Sequence, residues 1–153
     1  MKINTKVFGE IDIEEDKIIN FVNGIIGFPD LKRFTLIYND EKGVNAGIRW
    51  LQSIEEPAFS IPVMDPLAVT DNYNPVVDDE LLKALGDLRD DNMFVLVAAT
   101  IPKDITKMSV NLQGPFIINT DERKACQVIV ENDDYPVKFY IYDILKARKD
   151  GER

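Results

Sequence analysis

The run from Met93 to Glu131 constrains this chain most, because it holds three or four strand signals in close succession and little else. Met93 to Ala99 is a continuous apolar block of strand length, rich in Val, Leu and Phe, which predicts a strand covered on both faces and central to its sheet. After the polar turn Pro102-Lys103-Asp104, Met108, Val110 and Leu112 alternate with Ser109, Asn111 and Gln113, the period-two pattern of a half-buried strand. Gly114-Pro115 interrupts the run, since proline cannot donate a ladder bond, and Phe116 to Asn119 restarts as a new strand. A polar turn, Asn119-Thr120-Asp121-Glu122, leads to Cys126, Val128 and Val130 alternating with Gln127, Ile129 and Glu131. The stretch predicts a meander of antiparallel strands.

The flanking sequence repeats the theme. Val7, Gly9, Ile11 and Ile13 alternate with Phe8, Glu10 and Asp12 in an opening strand, Glu14-Glu15-Asp16 turns the chain, and Lys17 to Phe21 returns. Phe34, Leu36 and Tyr38 form a further strand, and Asn39-Asp40-Glu41-Lys42-Gly43 is a polar, hairpin-like connection. Ala46 to Ser53 and Ala58 to Met64 follow, with Trp50 as a core residue and Pro62 marking an edge or bulge. Pro66 to Pro75 is irregular. A helix is expected over about residues 78–86: Asp78 caps it, Asp79 and Glu80 suit its positive end, Gly86 stops it, and Leu81, Leu85 and Leu88 share a face that covers one barrel opening. Asn132-Asp133-Asp134 turns into a last strand from Val137 to Tyr142, and a charged tail with Lys146, Arg148, Lys149 and Arg153 follows. The expected architecture is mainly β: a single-domain, antiparallel, barrel-like fold over residues 1–145 with one short capping helix, and a charged tail over 146–153 that frays.

At 153 residues the chain suits one domain that buries a core without disulfides or metal. Eighteen Lys and Arg stand against 27 Asp and Glu, a net charge of -9 that repels phosphate backbones and anionic membrane faces and speeds encounter with a basic protein. The blander reading of that charge is solubility alone. The N-terminal Met1-Lys2-Ile3-Asn4-Thr5-Lys6 has no apolar targeting core, and no apolar run approaches membrane-spanning length, so a cytoplasmic location is expected.

The chain has no histidine and one cysteine, Cys126, so the common zinc, haem and iron–sulfur ligand sets and the Ser-His-Asp and Cys-His catalytic groups cannot be assembled. No catalytic residue, metal ligand or cofactor is assigned. Glu55, Glu56, Asp133 and Asp134 read as turn and solvation residues, because neighbouring carboxylates of strands and turns point different ways. The alternative of another class is a small β-barrel cofactor binder or enzyme of the flavin split-barrel type, for which Lys103, Lys107, Arg123 and Lys124 are the one basic cluster dense enough to hold a phosphate. A third, a carbohydrate-binding sandwich, requires Trp50 and Tyr73 to expose their rings.

Gly24-Ile25-Ile26-Gly27-Phe28-Pro29-Asp30-Leu31-Lys32-Arg33-Phe34 is a glycine-bearing loop of exposed-looking hydrophobics. Read blandly, it plugs an open barrel end; read functionally, it is a partner-binding lip. Together with the central stretch, with Trp50-Leu51-Gln52-Ser53 running into Pro57-Ala58-Phe59, and with Tyr135-Pro136-Val137-Lys138-Phe139-Tyr140, it resembles the flagellar assembly factor FliW family over nearly the whole chain. The resemblance implies a non-enzymatic regulator that binds flagellin in the cytoplasm. When flagellin has been exported, such a protein binds the RNA-binding translational regulator CsrA and relieves its repression of flagellin mRNA translation. On that reading, Ile25, Ile26 and Phe28 are the candidate apolar contacts and Asp30, Lys32 and Arg33 the polar ones, with neither nucleic acid nor membrane bound directly.

Overall fold

The computed structural model describes residues 1–38, 46–132 and 134–151, the last two by backbone alone. The connection expected at Asn39-Asp40-Glu41-Lys42-Gly43 lies outside the described residues, as do Asp133 and Arg153.

A first hairpin, β1 (Lys2–Thr5) and β2 (Gly9–Asp12), forms a two-stranded sheet of its own. The opening strand expected from Val7 onward is therefore only β2, and the strand before it, β1, was not expected. Their turn is set by Thr5, whose hydroxyl donates to the Gly9 carbonyl at 2.8 Å and accepts from the Phe8 amide at 2.9 Å. Seven strands then close a barrel: β3 (Ile18–Phe21), β4 (Arg33–Tyr38), β5 (Arg49–Ser53), β6 (Ser60–Met64), β7 (Met93–Thr100), β9 (Phe116–Asn119) and β10 (Lys124–Gln127). β8 (Ser109–Val110) and β11 (Phe139–Tyr140) extend the sheet beyond β7.

β7 is the hub that its apolar run suggested. It pairs with β6 on one side; on the other, Met93 to Leu96 pair with β9, and Ala99 and Thr100 pair with β8. The neighbours in sequence are antiparallel, but β10 lies parallel to β3, with Lys124 opposite Asn20 and Ala125 opposite Phe21. That parallel seam closes a barrel whose other pairings are antiparallel, those of the central meander included. Ser109 is buried along with Val110, so β8 has no wet face, and its alternation carried no inside–outside meaning.

Alternate residues fill the barrel. Phe21, Phe34, Leu51, Val63, Leu96, Phe116 and Ala125 point inward and are fully buried or nearly so, with Phe21 edge-on to both Phe34 and Phe116. The outward residues of the same strands are also covered, in two places. Val97, Met64 and Ile48 pack under Met108, Val110 and Ile141. Ile117, Cys126 and Val128 pack under Leu85, with Leu82 and Leu88 beside it.

The second of these coverings is the expected helix. It is α1 (Asp79–Leu82) followed by a 3-10 turn, Lys83–Leu85, and Asp78 accepts the Glu80 amide at 3.0 Å as its cap. It lies on the outer wall of β7, β9 and β10 rather than over a barrel opening. Tightening to three residues per turn puts Leu82 and Leu85 on the wall and leaves Leu81 45% exposed, where regular α-helical spacing had put Leu81 inward; Leu88, past Gly86, packs beside them. At the C-terminal end, β11 covers only Phe139–Tyr140, and α2 (Tyr142–Gly151) begins where the last strand was expected to end. Ile141, fully buried, and Ile144 and Leu145, partly so, dock that end on the outer wall.

Candidate functional site

The connection from β3 to β4 forms a rigid lip at one end of the barrel. Gly24 takes φ +69°, and a Cβ there would sit 2.5 Å from the Pro29 carbonyl oxygen, so only glycine lets the two limbs of the loop approach this closely. Ile25 and Phe28 bond to each other across a tight turn, Phe28 amide to Ile25 carbonyl at 2.9 Å and Ile25 amide to Phe28 carbonyl at 3.3 Å. Gly27, at the third position of that turn, has the φ of +89° that a type II turn demands. The Gln127 side chain fixes the tip from below: its Oε1 accepts from the Ile26 amide at 2.8 Å while its Nε2 donates to the Gly114 carbonyl at 3.0 Å.

These constraints separate the candidate residues. Ile25 is buried at 5% exposure inside the barrel, whereas Ile26 and Phe28 stand out at 53% and 48%. Ile25 is thus the plug, which corrects its reading as a surface residue, and the other two form an apolar knob. Phe28 leans on Phe59 with ring centroids 4.7 Å apart, and Phe59 in turn meets Phe34 of the core at 6.5 Å. Asp30, Lys32 and Arg33 are exposed on the return limb. Glu55 organises that limb, accepting from the Lys32 amide at 3.1 Å, the Arg33 amide at 2.8 Å and Arg33 Nε at 2.8 Å. Burial works to raise the Glu55 carboxyl, and the bonds from the Arg33 side chain and from the Arg33 and Lys32 amides outweigh it, holding the group below its ordinary value.

The opposite end of the barrel is open. A cleft of about 700 Å³ enters between the first hairpin and the strands, floored by the inward-facing Ile19, Leu36, Phe94 and Ile118. Its rim carries charges of both signs: Asp12, Glu14 and Asp16 from the hairpin side, Lys17 and Arg123 from the barrel. Asp12 is bonded to the N-terminal amine at 3.2 Å, and Arg123 donates to the Glu15 carbonyl at 2.6 Å. Arg49 lies over the rings of Tyr38 and Phe94, 5.2 and 5.5 Å from their centroids. Sequence reasoning did not find this opening, although its floor follows the same alternation that fills the barrel.

Among the described residues no three of His, Cys, Asp and Glu come together as a metal site. Cys126 is buried on the outer wall, and that burial pushes its thiol up to about 11. The basic cluster required by a phosphate-bearing cofactor does not form: Arg123 and Lys124 lie by the β9–β10 turn beside Met93, and Lys103 and Lys107 lie past Thr100, with the eight residues of β7 between them. Lys124 instead pairs with Glu122 at 3.6 Å. Trp50 and Tyr73 are half-buried rather than displayed: Phe8 stands edge-on to Trp50 at 5.8 Å, and Tyr73 meets Tyr135 at 4.8 Å while its hydroxyl donates to the Leu112 carbonyl. Among the described residues no helix is long and apolar enough to cross a membrane.

Comparison with known proteins covers nearly the whole chain. Residues 2–141 match the family model described as FliW protein. The chain is 54% identical over 150 residues to the flagellar assembly factor FliW of Lachnospira eligens, covering 97% of this chain and 99% of that protein. It is 48% identical over 155 residues to the flagellar assembly factor FliW of Lachnoclostridium phytofermentans, covering 99% of each. A crystal structure of the flagellar assembly factor FliW superimposes with a TM-score of 0.82 at 31% identity, covering 92% of this chain and 96% of that one.

Proposed function

The chain belongs to the FliW family of flagellar assembly factors, and from that premise we propose that it is a cytoplasmic, non-enzymatic partner-switching regulator of flagellin synthesis. In this reading it binds flagellin, and once flagellin has left the cell it binds the translational regulator CsrA and relieves repression of flagellin mRNA. Synthesis is thereby matched to export.

The observation that carries the reading is the apolar knob. Ile26 and Phe28 stay half exposed on a turn that is bonded to itself, to Gln127 and through Phe59 to the core. A surface hydrophobic pair held in one conformation loses little conformational freedom when a partner covers it, which favours its use as a binding anchor. Ile26 and Phe28 supply that anchor, Asp30, Lys32 and Arg33 border it, and Ile25 supports it from inside. The net charge of -9 suits the second partner, because CsrA binds RNA: an acidic protein docked on it lowers its affinity for phosphates by its field, without filling the RNA site.

Titration calorimetry of this protein against its cognate flagellin and, separately, against its cognate CsrA tests the proposal, followed by a competition run with both. Binding to each, with each displacing the other, is the expected result. Phe28→Ala is expected to weaken at least one of the two by about 1–3 kcal/mol, the range of an interface anchor. Absence of binding to both partners overturns the partner switch; intact affinities in Phe28→Ala retire the lip as the contact.

A further inference from the structure

β11 is the last strand of its sheet among the described residues, and no described strand pairs with its outer edge. The register places Phe139 opposite Val110 and Tyr140 opposite Ser109, and the Ile141 amide bonds to the Met108 carbonyl at 3.1 Å. Alternation in an antiparallel pair then turns the backbone groups of Phe139 and Ile141 toward β8 and those of Lys138 and Tyr140 outward. The side chains along this edge are exposed: Val137 at 60%, Tyr140 at 56%, and Lys138, whose ammonium lies 6.0 Å from the centre of the Tyr140 ring.

The charge here is opposite in sign to that of the molecule. Lys138 on the edge is joined by Lys103 and Lys107 of the β7–β8 connection and by Lys146 and Lys149 of α2, which packs on the Ile105–Lys107 turn. None of these lysines is in an ion pair with a described residue. Among residues with described side chains, the acids of these segments are Asp104, already engaged by the Thr106 amide and hydroxyl, Asp134 just before the edge, and Asp143 in the first turn of α2, while Arg148 of α2 holds Asp71.

A lysine on a free strand edge normally keeps like edges apart, and Lys138 has that effect against a second copy, which would bring the same lysine-bearing edge to face it. The same charge selects for an edge of opposite sign. We propose that the outer edge of β11 is a docking site for an extended acidic segment of a partner protein. The segment adds as a short strand along Phe139–Tyr140, with an apolar residue beside the Tyr140 ring and its carboxylates in the field of the lysines. This surface is separate from the lip, and the inference depends on neither flagellin nor CsrA.

The test uses a fluorescein-labelled peptide of alternating Glu and Val, about eight residues long to exceed the edge it covers, with two controls: the Lys–Val peptide and a Glu–Val peptide broken by prolines. Fluorescence anisotropy on the full chain is expected to show saturable binding of the first peptide alone. Amide hydrogen exchange is expected to slow at Lys138 and Tyr140, whose N–H groups point outward. Lys138→Glu is expected to weaken binding roughly tenfold. Tyr140→Pro, which removes the outward donor together with the ring, is expected to abolish binding, and Tyr140→Ala, which keeps the donor, to weaken it less, with the melting temperature retained in both. Should the proline-broken peptide bind as well, the attraction is charge without strand addition and the proposal falls. It falls equally if the Lys–Val peptide binds as tightly, if protection appears at the lip instead, or if an RNA oligonucleotide or anionic vesicles slow exchange at these two amides and the peptide does not. Because exchange in the unmodified chain reads the edge directly, a Tyr140→Pro chain that fails to fold leaves the test decisive.

Discussion

Single side chains decide which parts of this barrel are buried and which are displayed. Ile25 and Ile26 are adjacent and chemically alike, yet one plugs the barrel and the other is displayed. The sequence marks the loop as apolar but cannot sort the two, because a tight turn has no periodicity that assigns an inward face. The sorting comes from Gln127, about a hundred positions away in the chain, and a hydrogen bond of that span leaves no local trace. Cys126 was more legible: apolar alternation around a lone cysteine predicts burial, and it is 4% exposed. Its thiol, raised by burial from the ordinary 9.0 to about 11, makes a pH prediction. Between those values the unfolded chain has lost a proton that the folded chain retains, so unfolding is favoured as pH rises. The contribution is complete below about pH 9 and is lost as pH climbs through about 11. Melting temperatures measured from pH 8 upward are therefore expected to fall more steeply for the native chain than for Cys126→Ala. Parallel curves would show that the thiol is not sheltered.

Among the elements, the sequence revealed strands far better than pairings. The apolar block at Met93 and the restart at Phe116 mark β7 and β9, with β9 running from Phe116 to Asn119 as expected. The seam between β10 and β3 was not visible, since a parallel contact between strands about a hundred residues apart rests on amides such as Asn20, which bonds to the Arg123 carbonyl at 2.8 Å. Periodicity misled at α1, where the helix tightens after Leu82 and shifts its buried face by one residue. The C-terminal helix shows why a charged segment need not hang free. Arg148 of α2 donates to the Leu67 carbonyl at 2.8 Å and to Asp71 at 2.7 Å, tying the helix to the loop after β6. Removing it in Arg148→Ala is expected to cost about 1 kcal/mol in chemical denaturation, the scale of a charged hydrogen bond that is partly solvated. Amide exchange is expected to quicken in α2 and remain unchanged in β5 and β6. Unaltered exchange in α2 would mean that Ile144 and Leu145 hold the helix without it.

At the scale of the whole molecule, the charge is large and unevenly spread. Carboxylates crowd the hairpin side of the barrel mouth and the Asp87, Asp91 and Asp121 group around Arg89, while the face built from β11 and α2 is rich in lysine. A net charge of -9 acts over about 10 Å at ordinary ionic strength, so it governs how fast a basic partner arrives more than how long it stays. The apolar knob has the reverse effect, since covered hydrophobic area is lost only on dissociation. These two contributions separate in a stopped-flow experiment with CsrA. Raising salt from about 50 to about 500 mM is expected to slow association roughly tenfold and leave dissociation nearly constant, because screening reaches the long-range field but not the contact. Phe28→Ala is expected to do the opposite wherever the lip is the contact, speeding dissociation at every salt concentration. If association is indifferent to salt, the acidic surface serves solubility alone, and the proposed relief of CsrA repression rests on a change in that partner's shape or on direct obstruction. If both rates respond to salt and neither to Phe28→Ala, the charged surface is itself the contact and the lip is left as the contact proposed for flagellin.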